Sequence, residues 1–160
     1  MFSLFNKHFH KKESGNGIVS SDQVEKLKVA TCVILIEACT ADLEFSDKEL
    51  NAIVDMLKAR FEMNDEQASE LINKSTELRR NTTGIWHFTN IINNNLNNEE
   101  KYKILEMIWE VIYSDGKLDK FENYMAHKLQ NLLLIDHSKF IELKLKVKNE
   151  HIDKKNLKSP

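Results

Sequence analysis

The chain predicts an all-α fold, and three observations lead there. Backbone punctuation is sparse: 160 residues hold four glycines and one proline, the terminal Pro160. That is too little for the turns an all-β or α/β fold consumes. From Ser20 onward apolar residues recur at helical spacing. Two Asn-x-x-Gln/Glu boxes, Asn64 to Gln67 and Asn97 to Glu100, each stand just before such a stretch, where a helix starts. The expected architecture is about seven helices, arranged as duplicated hairpins around two buried central ones.

Taken in order, the first nineteen residues, MFSLFNKHFHKKESGNGIV, read as a tail with Gly15-Asn16-Gly17 as its linker. Phe2, Phe5 and Phe9 share a helical face beside Lys7, Lys11 and Lys12. Two readings stay open for residues 1–12: weak contact with a membrane surface, or docking on the chain's own domain. The domain spans 20–150. Its first helix, 21–41, ends in VATCVILIEACTA, apolar nearly all round and so a buried central rod. The second, 47–61, carries Leu50, Ile53, Val54, Leu57 and Phe61 on one stripe. The third opens at the Asn64 box, with Met63 and Ala68 at the staple positions, and is expected to bury Leu71, Ile72 and Leu78. The fourth, 84–95, uses Ile85, Phe88 and Ile92. The fifth opens at Asn97 and contains ILEMIWEVIY, the second near-continuous apolar rod. The sixth, 120–134, uses Phe121, Met125, Leu129 and Leu132. The seventh, 137–149, is basic and amphipathic, and 151–160 reads as a polar tail.

Composition narrows the function classes. The chain is 41% apolar and 30% charged, a globular balance. Its net charge of −2 is unevenly laid out. Between Ser20 and Asp136, 13 Lys and Arg face 21 Asp and Glu, a balance of −8, while the two ends are basic. An acidic body is a poor footprint for nucleic acid and suits cations or basic partners. No phosphate-binding glycine loop, dinucleotide fingerprint or nucleophile elbow can be written, and no catalytic constellation is present, so an enzyme is not expected. Cys32 and Cys39 lie seven apart in an apolar helix and read as core thiols. Without a signal peptide they point to a reducing cytoplasm. No apolar run reaches the ~18 residues of a membrane span.

One pattern is written twice. EACTADLEFSDKE (37–49) and EVIYSDGKLDKFE (110–122) share Glu, four residues, Asp, two residues, a large apolar residue, Ser or Asp, two residues, Glu. The copies lie 73 residues apart, each at the end of an apolar helix and ahead of an amphipathic one. Hairpins so duplicated pack about a pseudo-twofold axis, which would bring the copies together. Ser46 with Glu49 and Asp119 with Glu122 are spaced as capping boxes, with Phe45 and Leu118 as staples. A structural role accounts for that half of the pattern as well as a binding role does.

The other half asks for a counterpart. Asp42 and Asp115 stand at helix C-termini, where the macrodipole disfavours an acid. Glu37 and Glu110 sit inside apolar runs, where a carboxylate without a partner costs several kcal/mol or stays protonated. A Lys or Arg, a helix N-terminus or a metal ion would serve. Clustered carboxylates with few bases nearby favour Ca²⁺ or Mg²⁺, and a protonated or hydrogen-bonded pair is the alternative. The EF-hand does not fit: from Asp115, position 3 is Lys117 and the next Glu is at position 8, and from Asp42, position 6 is Asp47 rather than Gly. Any site would draw on both halves.

TADLEFSDKE and YSDGKLDKFE, each behind a buried helix, resemble the TerB-like family, named for tellurite-resistance proteins and including the N-terminal region of a membrane-attached DnaJ-type co-chaperone. The likeness covers about residues 20–150. Asp115 to Glu122 fits the family's D-G-x-hydrophobic-[STD]-x-x-E pattern, whereas the first copy has Leu43 where Gly is usual. The resemblance implies a small non-enzymatic helical module linked to divalent-metal binding and to stress-response complexes at the cytoplasmic face of the membrane. By position its acidic site is Glu37, Asp42 and Glu49 with Glu110, Asp115 and Glu122, and its cofactor a divalent cation, Ca²⁺ or Mg²⁺. Tellurite resistance itself is not carried over. Other proteins are the expected partners, nucleic acid is not, and the alternative is a metal-free scaffold or co-chaperone-type interaction domain.

The remaining candidates have ordinary explanations. His87 and His127 lack a second ligand at i+4, and His8 with His10 is a tail pair that would bind a transition metal only weakly. A glycosidase-like carboxylate pair would need a cleft that a helical domain of this size seldom offers. The basic run Lys139 to Lys148 suits an acidic partner or a solvated face. Trp86 and Trp109 read as core.

Overall fold

A computed structural model describes residues 21–39, 46–115 and 120–158. Every element in them is helical: α1 Ser21–Cys39, α2 Asp47–Phe61, α3 Asp65–Asn81, α4 Trp86–Asn95, α5 Asn98–Ile112, a 3₁₀ turn Tyr113–Asp115, α6 Lys120–Leu132 and α7 His137–Lys158. Start signals are satisfied where the residues are described. Asn64 Oδ1 accepts from the Gln67 amide at 2.8 Å while Gln67 Oε1 accepts from the Asn64 amide at 3.0 Å. Asn97 and Glu100 make the same reciprocal pair at 3.0 and 2.8 Å. Ser46 Oγ accepts from the Glu49 amide at 3.2 Å. Each bond meets a helix-end amide that the helix itself leaves without an acceptor.

The two apolar rods are the centre, as their composition requires. α1 packs against α2, α3, α4, α5 and α6. Ala30 and the run from Cys32 through Ile36 are wholly buried. α5 packs against α1, α2, α6 and α7, and buries Ile104, Leu105, Met107, Ile108, Trp109 and Val111 completely. Trp109 lies 5.1 Å from the Phe140 ring of α7, with the Lys144 ammonium 5.4 Å from its own centroid. The outer helices each lay one stripe on these rods: Ile53, Leu57 and Phe61 from α2, Leu71 and Ile72 from α3, Phe140, Leu143 and Val147 from α7. Cys32 and Cys39 are buried and form no disulfide, and burial pushes the Cys32 thiol up to about 12.

Several expectations shift. Leu78 is 40% exposed, because the splay of α3 from α1 and α4 leaves an open hollow of about 320 Å³ that it lines instead of filling. Trp86 is 65% exposed: it opens α4 facing outward, and Ile85 before it takes the buried place. α4 starts at Trp86 rather than at 84, after Gly84 turns the chain at φ +72°. α6 stops at Leu132 rather than at 134, where Leu134 enters the left-handed region at φ 58° and the Ile135 amide closes back on Gln130 O at 3.1 Å. α7 runs through the expected tail to Lys158. Its start is capped by Asp136, whose Oδ1 accepts from the Lys139 amide at 2.8 Å and from Ser138 Oγ at 3.0 Å. Those bonds hold the Asp136 carboxyl below its ordinary range. Residues 1–19, Asp42, Phe45, Leu118 and Asp119 lie outside the described residues.

Candidate functional site

α1 carries Glu37 near its C-terminal end, among side chains that are nearly all apolar, and the glutamate is buried. Its counterpart is an arginine. Arg79, in the last turn of α3, donates from Nε to Glu37 Oε1 and from Nη1 to the Thr82 carbonyl at 3.2 Å. A planar guanidinium on a partly buried carboxylate is the strong form of such a bond, and fixing Arg79 to the chain just beyond its helix holds the fork in place.

Glu110 occupies the matching place in α5 and also faces an arginine. Arg60 Nη2, in the last turn of α2, lies 3.6 Å from Glu110 Oε1. Burial holds the Glu110 carboxyl above its ordinary range, against the pull of Arg60. Glu106 and Glu150 push it the same way as burial, and Lys154 pulls with Arg60. One turn back, Glu106 is buried too and takes Lys146 of α7 at 3.0 Å. The chain contains only three arginines, and two of them stand on the repeat's inner glutamates.

The outer members sit in first turns. Glu49 is half-buried in α2, and Glu122 is buried in α6. The 3₁₀ turn that ends at Asp115 packs against α2, the helix that follows the first acidic stretch. Asp42 lies outside the described residues, as does the side chain of Asp115. Among the described residues, no three His, Cys, Asp or Glu side chains converge on one point as metal ligands. Glu37 and Glu110 are drawn instead to separate guanidinium groups, one on α3 and one on α2.

Reading the chain for acids passed over three partners and one acid: Arg60, Arg79, Lys146 and Glu106. The signal for the arginines was their rarity, and for Glu106 its place within ILEMIWE. No helix among the described residues is long and apolar enough to cross a membrane.

Neither a curated protein nor a solved structure matches the chain. The family described as tellurite resistance protein TerB matches residues 28–145, from the second turn of α1 into α7. That span covers both copies of the acidic pattern and most of the chain, and the described residues are all-helical, as the resemblance implied. The chain belongs to the TerB family.

Proposed function

We propose that this protein is a non-enzymatic module that binds a divalent cation, Ca²⁺ or Mg²⁺, through the acids of its two loops and helix starts: Asp42 and Glu49 with Asp115 and Glu122. The single observation behind it is the seat of the 3₁₀ turn on α2, which sets the start of the second acidic loop beside the helix that begins after the first. Carboxylate oxygens alone make a donor set for a hard cation. Glu37 and Glu110 do not fit that set, since Arg79 and Arg60 already face them. Their role is to hold α3 and α2 against the central rods, so that cation charge is spent on the loops. A bound ion would offset repulsion among the loop acids and lock the halves together, and other proteins would read the locked form. Cytoplasmic stress-response assemblies are the setting that family membership supports for it.

Thermal melts test this directly. Millimolar Ca²⁺ or Mg²⁺ stabilises the metal-free protein, by about 2.7 kcal/mol at a hundredfold excess over the dissociation constant, and so raises its melting temperature. The Asp42→Asn/Asp115→Asn variant loses that rise. The second reading is a metal-free scaffold, favoured by the arginines that neutralise the inner acids without an ion. A melting curve that neither ion moves supports the scaffold and ends the cation reading.

A further inference from the structure

The seam between α1 and α3 is an open groove. Lys74 of α3 reaches across it to Glu25 of α1 at 3.2 Å, and this exposed pair divides it into two hollows that share both residues as walls. One, of about 320 Å³, is apolar, with Val29, Leu78, Phe88 and Ile91 among its walls. The other, of about 480 Å³, has Phe61, Met63 and Leu71 below and Glu62 and Glu70 at its mouth. Lys28 and Lys74 line the same hollow as these acids, so its rim carries both signs of charge.

We propose that residues 2–12 of the chain dock in this groove, with Phe5 and Phe9 in the apolar hollow.

Three observations select this occupant. The chain enters the fold beside the groove: α1 starts at Ser21, and its first two turns supply the wall residues Glu25, Lys26 and Val29. The eight residues from Glu13 to Ser20 can span about 26 Å when extended, enough for a return along the first turns of α1, and Gly15 and Gly17 allow the reversal. The chemistry matches as well. Phe2, Phe5 and Phe9 fall on one helical face, as an apolar hollow requires, while Lys7 and Lys11 fall on the opposite, solvent-facing side. A tethered segment also holds a high local concentration at the groove, which a free partner must exceed to displace it.

The test uses the full chain with Ser3→Cys carrying a nitroxide, since Cys32 and Cys39 are buried and resist labelling. Amide signals of Val29, Leu78 and Ile91 broaden, while those of Leu145 and Val147 on α7 stay sharp. Replacing Phe5 and Phe9 by Ser in the labelled chain removes the difference. Equal broadening on both faces, or none at the groove, overturns the proposal. Broadening that appears when labelled chains are mixed with unlabelled ¹⁵N chains assigns the groove to a second copy and overturns it as well. Absence of groove broadening together with binding to anionic phosphatidylserine vesicles that Phe5→Ser/Phe9→Ser abolishes assigns the segment to a membrane and overturns it too.

Discussion

Glu37 and Glu110 hold equivalent places in two apolar helices, yet their charges are met from different helices. Arg79 comes from α3 and Arg60 from α2, with Lys154 of α7 adding its pull on Glu110 from the helix that takes α3's place in the second half. Breaking one such pair strands the other charge, which costs more than the pair contributes. Arg79→Met therefore lowers stability by about 3 kcal/mol, whereas Arg79→Met with Glu37→Leu recovers most of the loss. Chemical denaturation of both variants checks this, and equal losses would refute the pairing. Glu110 gives a pH signature. Its folded carboxyl is held above the ordinary range by burial, so the folded chain binds that proton more tightly than the unfolded one. Stability from this group falls as pH rises from the unfolded carboxylate range, about 4.3, through the folded value. Glu110→Gln cannot ionise, so its melting temperature gains on the wild type as pH rises out of the unfolded carboxylate range. A gap that stays constant or shrinks would place the carboxylate in water.

Helices are where local rules were most legible. The boxes at Asn64 and Asn97 form as their spacing requires, because cap chemistry depends on four neighbouring residues and nothing else. Asn97→Ala removes the acceptor for the Glu100 amide and costs about 1 kcal/mol, measurable by denaturant midpoint. A change below the error of the midpoint would mean water serves that amide equally well. Apolar periodicity likewise identified the central rods, since a helix apolar on every side has nowhere else to go. What periodicity could not give is which stripe finds a neighbour. Leu78 and Trp86 carry the right residue types, but Leu78 lines a hollow between α1, α3 and α4, and Trp86 opens α4 facing outward, placements that depend on neighbouring helices. The end of α7 was hidden for a related reason: a polar sequence continues as helix when its first turns are anchored by Asp136, Phe140 and Leu143.

At the scale of the molecule, the duplication in the sequence becomes two central rods in contact, with the start of one acidic stretch on the flank of the helix that follows the other. The acids were legible from the repeat, but their bases were not. Arg60 and Arg79 lie outside both copies, and only the tertiary fold brings them to Glu110 and Glu37. This divides the six acids by task. In the proposed reading the inner pair fastens helices, and the loop and helix-start acids take the cation. A titration of the metal-free protein with Mg²⁺ or Ca²⁺, followed at each backbone amide, tests that division most directly. The expected result is a set of shifts at Glu49, Asp115 and Glu122, with the amides of Glu37, Arg60 and Arg79 still. Shifts centred on Glu37 and Arg79, or none at all, would contradict it.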